Sequence, residues 1–428
     1  MILFGLFFLL ILTGMPIACC LGISSVASLA HDGFALTTFA STMFSGTAKP
    51  TLMAIPFFIL AGVIMEKGGI SEKLVNFSKA MVGHKFGGLA IVTVVTSCFF
   101  AAISGSGPAT VAALAPILLP AMEEAGYDKR WSAALVANSG NVGIIIPPSV
   151  IFVMYALVAE VSIQKLFMAG IIPGLLFGAA LIVVSLISLK KQEKRTGQLV
   201  RLPKATKAER WASFKDAFWG ILTPVIILGG IYTGIFTATE SAGVAAVYGL
   251  IVGAFVYRRI KLRDLWDIFV ESAISTAVVM FIIATASVFA FVLTTNGVPQ
   301  MMSAAIISLT DSKILLLLLM NVILLIAGCF LDSGSAVYIF IPILMPIVKH
   351  IGYDPLVFGV VSTVNLATGM STPPVGLDLY VACNASGVTL KDISVQTLRF
   401  VGASIITLML LTYIPQISEL LPALLGMK

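Results

Sequence analysis

The chain is 428 residues long, 59% hydrophobic and only 11% charged, with a formal net charge of +6. A soluble domain is about one quarter charged, so no soluble fold accounts for this balance. The basic residues fall in short loops between apolar stretches, where positive charge sets membrane orientation; the expected partner is the lipid bilayer, and no nucleic acid.

Stretches long enough to cross roughly 30 Å of hydrocarbon, about 20 residues each, recur from end to end. The first, from Met1 to about Ala30, has no Lys or Arg before Lys49 and outruns a signal-peptide core, so it is expected to remain as a span. In chain order the pattern predicts spans over 1–28 and 50–66 and an amphipathic arm over 67–86. A re-entrant hairpin over 88–122, a span over 131–157 broken near Pro147 and Pro148, and a span over 165–189 follow. After a basic loop comes a linking span over 217–236. The second series runs through spans 241–257 and 266–292, an arm 293–311, a hairpin 312–349, a broken span 356–383 and a last span 397–418. The chain thus divides into 1–200, a basic loop and linking span over 201–240, and 241–428.

The two series repeat each other at an offset of 226 residues. Pro116, Pro120, Gly126, Tyr127, Asp128, Gly143, Pro147 and Pro148 return as Pro342, Pro346, Gly352, Tyr353, Asp354, Gly369, Pro373 and Pro374. Four crossings plus the linking span make an odd number, so the second copy is expected to enter the membrane inverted. Charge agrees: residues 190–215 hold nine Lys and Arg against two acids, which marks them as cytoplasmic. That frame puts the first arm inside, with Lys67, Lys73, Lys79 and Lys85, together with Arg258, Arg259, Lys261 and Arg263. The second arm, without Lys or Arg, falls outside. The expected fold is therefore an all-α polytopic membrane protein, an inverted repeat with two re-entrant hairpins and two broken helices.

Breaks at membrane depth are tolerated only where the backbone is buried in protein or lines an aqueous cavity, and inverted repeats with broken helices bind substrate and ions near the midplane. Hydroxyls, Asn amides and unwound carbonyls suit a hard monovalent cation, while half-helix N-termini favour an anion. One sodium ion is assigned to Ser104, Ser106, Gly107, Asn138 and Gly143, and a second to Ser333, Ser335, Asn365, Gly369 and Thr372. Asp332 is costly near the bilayer centre and is expected to ligate sodium or carry a proton, its competing role being a hairpin cap. Ser104, Gly105, Asn141, Pro148, Ser371 and Pro374 are the expected substrate contacts. The proline pairs block helical continuation and free upstream carbonyls, and Glu240 is expected to cap the helix beginning there. The cysteines, Cys19, Cys20, Cys98, Cys329 and Cys383, lack metal spacing and read as packing residues. His31, His84 and His350 are scattered, and no hydrolase, Walker or zinc motif occurs, so neither enzymatic catalysis nor direct ATP hydrolysis is expected.

The motifs FFAAISGSGPATVAAL (Phe99 to Leu114), IIPPS (Ile145 to Ser149), GIFTATESAGVAAVYG (Gly234 to Gly249) and TPPVG (Thr372 to Gly376) resemble the large membrane subunit of tripartite ATP-independent periplasmic (TRAP) transporters, along the whole chain. The resemblance implies an elevator mechanism in the bacterial inner membrane, with a transport domain that carries both hairpins past a scaffold domain. It also implies a small four-helix membrane subunit, expected here as a separate chain, a periplasmic substrate-binding protein, and two or more coupled sodium ions. The implied cargo is an organic acid: sialic acid, towards which the Phe99 to Leu114 stretch leans, another sugar acid, a 2-oxo acid or a C4-dicarboxylate. The competing reading is a stand-alone proton- or sodium-coupled ion transporter or antiporter.

Overall fold

The computed structural model describes residues 2–196 and 201–426, and these form helices with no strand among them. The chain opens with α1 (Ile2–Leu12) and α2 (Ile17–His31), where a single span over 1–28 was the expectation. Gly14, at φ +79°, and Pro16 separate the two helices, which fold back on each other. At about 17 and 22 Å, neither crosses the hydrocarbon layer alone. Next come α3 (Thr37–Thr47), a 3-10 turn over Pro50–Met53, α4 (Ala54–Lys67) and the arm α5 (Ile70–Val82). The first hairpin is α6 (Gly88–Ser104) and α7 (Gly107–Glu124). The broken span is α8 (Lys129–Gly140), α9 (Val142–Ile145) and α10 (Val150–Ala159), bent by 46° at the break.

The next helix, α11 (Ile163–Thr196), runs for 34 residues, about 50 Å, so its basic end projects past the bilayer. Hence most of the expected 190–215 loop is helical: Lys190 to Arg195 end α11, and α12 (Lys207–Tyr232) begins at once after Thr206, with residues 197–200 outside the described residues. The second series is α13 (Ala238–Ile251) with a π-turn over Val252–Val256, α14 (Asp264–Thr295), the arm α15 (Val298–Ile307) and the hairpin α16 (Lys313–Phe330) and α17 (Ser333–His350). It closes with α18 (Pro355–Met370), α19 (Leu377–Ser386), α20 (Leu390–Tyr413) and α21 (Gln416–Leu424). Eight helices among the described residues are long and apolar enough to cross a membrane, or nine with the bent pair.

The recurring Gly-Tyr-Asp triplets are helix joints. Gly126 and Gly352 take the left-handed conformation, at φ +80° and +60°. Beyond them the Tyr127 and Tyr353 N–H groups reach back to the Met122 and Val348 carbonyls, each at 3.0 Å, which closes the hairpin's second arm in a Schellman turn. Asp128 and Asp354 then cap α8 and α18, accepting from the Trp131 and Leu356 N–H groups at 2.9 and 2.7 Å. Glu240 serves as expected in a cap, from the third helical position of a capping box: Thr237 is the N-cap, and Glu240 accepts from its N–H at 2.8 Å.

The two halves exchange partners. Helix α2 packs on α14 of the other half, and α13 packs on α4. Likewise α10 packs on α17, and α19 on α7. Thr233-Gly234, between α12 and α13, repeats the turn of Thr13-Gly14, with glycine φ values of +72° and +79°; α12 therefore precedes α13 as α1 precedes α2.

Helix α14 measures the separation of the ends. Near its start Lys67 pairs with Glu271 at 3.2 Å, and the same end gathers Lys73 with Asp216 and Arg259 with Glu72, each at 3.1 Å. Beyond its far end Asn296 donates to Asp32 at 3.1 Å. From Glu271 to Asn296 is about 37 Å along a helix, more than a hydrocarbon thickness. The arms α5 and α15 thus lie at opposite ends, as the charge pattern requires. Half-exposed ion pairs contribute only ~0–1 kcal/mol each, so these mark position more than they hold the fold.

Two measurements check this architecture. Asp354→Ala removes the α18 cap and is expected to destabilise the protein by about 1 kcal/mol, seen as a lower melting temperature in detergent; an unchanged melt would remove Asp354 from the joint. In a background without the native cysteines, an impermeant maleimide should reach Lys204→Cys only from the cytoplasm and Ser308→Cys only from the periplasm. Labelling of both from one face contradicts the arrangement.

Candidate functional site: two hairpin tips against two helix breaks

The first tip is a knot of short polar residues. Gly105 ends α6 at φ +60°, and its carbonyl accepts from the Val150 N–H at 3.3 Å, so the tip docks on the break of its own half. A Cβ at Gly105 would stand 2.7 Å from the Pro148 carbonyl oxygen; only glycine fits this approach. Ser104 Oγ and Thr110 Oγ1 lie 2.9 Å apart, and Thr110 donates to the Ser106 carbonyl at 2.7 Å. Gly143 closes on the same group, a Cβ there falling 2.6 Å from the Ser106 carbonyl oxygen. Pro148 has no N–H for the Ile144 carbonyl, and the Ser149 hydroxyl donates to it instead at 2.6 Å. Ser104, Ser106, Gly107 and Gly143 are thus brought to one tip, and Gly105 meets Pro148 beside it.

The second tip is built differently. Asp332 caps α17, accepting from the Ser335 N–H at 2.9 Å and from its hydroxyl at 2.6 Å. Ser333 donates to Met370 Sδ at 2.9 Å, which ties the tip to the end of α18. Gly376 donates to the Cys329 carbonyl at 3.2 Å, so this tip also docks on its own half's break. Gly328 and Gly369 let α16 and α18 touch, a Cβ at Gly369 falling 2.6 Å from Gly328 Cα. Asn365 turns its amide to α16, donating to the Asn321 carbonyl and side-chain oxygens at 2.8 and 2.9 Å. Thr372, just past the end of α18, donates back to the Thr368 carbonyl of that helix, and Pro374 is exposed.

A buried network joins the two breaks. Asn141 donates to Ser371 Oγ at 2.7 Å, and Ser371 donates to Asn138 Oδ1 at 3.0 Å. Asn138 donates to Thr397 Oγ1 at 2.6 Å, and Thr397 returns to the Ser371 carbonyl at 3.2 Å. All four residues are fully buried. Asn138 and Asn141, expected at an ion and at the substrate, therefore meet Ser371 of the other half.

Oxygens are left over. Ser139 Oγ, Asn141 Oδ1, Asn365 Oδ1 and both carboxylate oxygens of Asp378 are buried without a hydrogen-bond partner among the described residues, each at a desolvation cost of about 1–3 kcal/mol or more. These leftover groups are oxygens able to accept, the chemistry that suits a small hard cation. The sequence reading missed Thr110, Asn321, Thr397 and Asp378. The signal for Asp378 was present, since an acid four residues beyond Pro374 in an apolar stretch carries the same insertion cost as Asp332.

The family described as "Tripartite ATP-independent periplasmic transporter, DctM component" matches residues 4–417. The chain is 39% identical over 442 residues to the C4-dicarboxylate TRAP transporter large permease protein DctM of Rhodobacter capsulatus, covering 100% of this chain and 99% of that protein. It is 43% identical over 417 residues to the isethionate TRAP transporter permease protein DctMQ of Oleidesulfovibrio alaskensis, covering 97% of this chain but 65% of that longer protein. To the sialic acid TRAP transporter large permease protein SiaM of Vibrio cholerae it is 37% identical over 416 residues, covering 97% of this chain and 96% of the other. Among solved structures, the YdaH transporter of Alcanivorax borkumensis aligns with a TM-score of 0.61 over 88% of both chains at 15% identity, a likeness of fold alone. A multi-pass protein of the bacterial inner membrane and not an enzyme, the chain belongs to the DctM component family of tripartite ATP-independent periplasmic transporters.

Proposed function

We propose that this chain is the large permease subunit of a sodium-coupled secondary transporter that imports a small organic acid. The observation that carries the reading is the pairing of two hairpin tips with two helix breaks, sealed in protein and joined through Asn138, Asn141 and Ser371. Such a centre accepts a cation on hydroxyl, amide and carbonyl oxygens, and offers an anion the N-termini of α7, α10, α17 and α19. At both tips the serine hydroxyls give their protons to neighbours inside the protein; their lone pairs stay available to sodium.

In this reading the hairpins and the broken spans move as one body past a scaffold of α2, α4, α13 and α14, an elevator motion. The relatives are named for C4-dicarboxylates, isethionate, 2,3-diketo-L-gulonate and sialic acid, all organic anions, which supports an acid as cargo here. A separate periplasmic binding protein delivers it, and a small four-helix subunit widens the scaffold. Asp332 keeps its cap and adds negative charge to the second cation site.

Reconstituted with a small subunit and a binding protein, the chain should take up its acid only under an inward sodium gradient. Uptake by this chain alone, driven by a proton gradient, would instead make it an antiporter-like carrier. In the same assay Ser106→Leu and Ser335→Leu should each lower sodium-dependent uptake at least about tenfold, since a bulky side chain fills space that the ion needs. Folded variants that transport like the parent would take those serines out of the site.

A further inference from the structure

Asp378 lies in the first turn of α19 and is 0% exposed, yet neither carboxylate oxygen has a hydrogen-bond partner among the described residues. The group lies against glycine. A Cβ at Gly107, the first residue of α7, would stand 2.8 Å from Oδ2 and 3.3 Å from Oδ1. A Cβ at Gly140, the last residue of α8, would stand 3.3 Å from the same Oδ2 and 3.1 Å from the Gly107 carbonyl oxygen. Gly107 of the first half therefore makes room for an acid of the second, while Gly140 makes room first for Val111, whose Cγ2 a Cβ there would overlap, and brings the Gly107 carbonyl and Asp378 Oδ2 beside one another. Ser139 and Asn141, on either side of Gly140, also carry buried oxygens without partners.

An ionised carboxylate sealed from water without a partner is among the most costly groups a protein can bury. The dipole of α19 favours an acid in its first turn, but no N–H of that turn bonds to it, and the dipole does not explain the glycine at position 107. A cation between the oxygens accounts for the burial, the vacant acceptors and the missing side chain at Gly107 together.

We propose that Asp378 is the charged ligand of a monovalent-cation site shared by the two halves, the ion held between its carboxylate and the Gly107 carbonyl beside Gly140. This rests on the sodium-coupled reading above, and it gives the first serine-rich cluster an anionic ligand from the opposite half. Helix α19 packs on both α7 and α8, so an ion here ties the first hairpin to the second repeat.

The probe is sodium itself: thermal unfolding of the purified membrane complex in NaCl against choline chloride at constant ionic strength. The parent's melting temperature should rise with sodium, because an ion that binds only the folded state stabilises it. Asp378→Asn keeps the size and loses the charge, and should raise the sodium concentration for half the rise at least tenfold. A variant curve that overlies the parent overturns the Asp378 assignment and leaves sodium coupling standing. A parent whose melting and uptake both ignore sodium sinks the coupling itself. Should Asp378→Asn fail to fold, hydrogen exchange on the parent decides: sodium should slow exchange over both 105–112 and 376–382, and an unaltered 376–382 segment overturns the proposal.

Discussion

Inside a hydrocarbon layer every backbone N–H and C=O must find its partner within the protein, and that constraint shapes each interruption in this chain. A helix that stops inside the apolar interior releases several such groups, each worth several kcal/mol if left bare. Here the stops come in matched pairs, and each pair serves the other. Gly105 takes the Val150 N–H, Gly376 gives its own to Cys329, and the Ser149 hydroxyl stands in for the donor that Pro148 lacks. The bonds that close the breaks also bring the tips against them, so the satisfied backbone and the assembled centre are one structure.

Much of this was legible in the sequence because interruptions have their own chemistry. Glycine, proline and serine within apolar runs marked both hairpins and both breaks, and the arms were legible from their charge. The division of α1 from α2 escaped because Thr13, Gly14 and Pro16 make only a brief dip between two apolar runs that together have the length of one span. The extents of α11 and α12 were also missed, since lysine and arginine are good helix formers and mark a membrane boundary without ending a helix. Within the centre, residue types were readable and pairings were not. The hydroxyl of Ser371, read from sequence as a substrate contact, spans Asn141 and Asn138 across more than 200 positions of sequence. Such a contact exists only once two halves have met.

The two tips also solve one problem in different ways. The second keeps its acid at its own N-cap, where Asp332 is held by Ser335. The first has Ser106 in that place, with no side-chain cap, and meets the acid Asp378 arriving from the other half. Symmetry of the backbone has therefore not imposed symmetry of charge. One carboxylate is built into its hairpin, and the other reaches its hairpin only through the packing of α19 on α7.

The exchange of helices between halves bears on how the chain is made. Helices α2 and α4 leave the ribosome on the order of 200 residues before α14 and α13, the partners that cover them. At roughly 5–20 residues per second the early half waits some 10–40 seconds. During that wait lipid tails, or a chaperone of the insertion machinery, must occupy faces later filled by protein. Biogenesis of this protein is thus an act of displacement, in which the late helices evict temporary neighbours before a functional centre can exist.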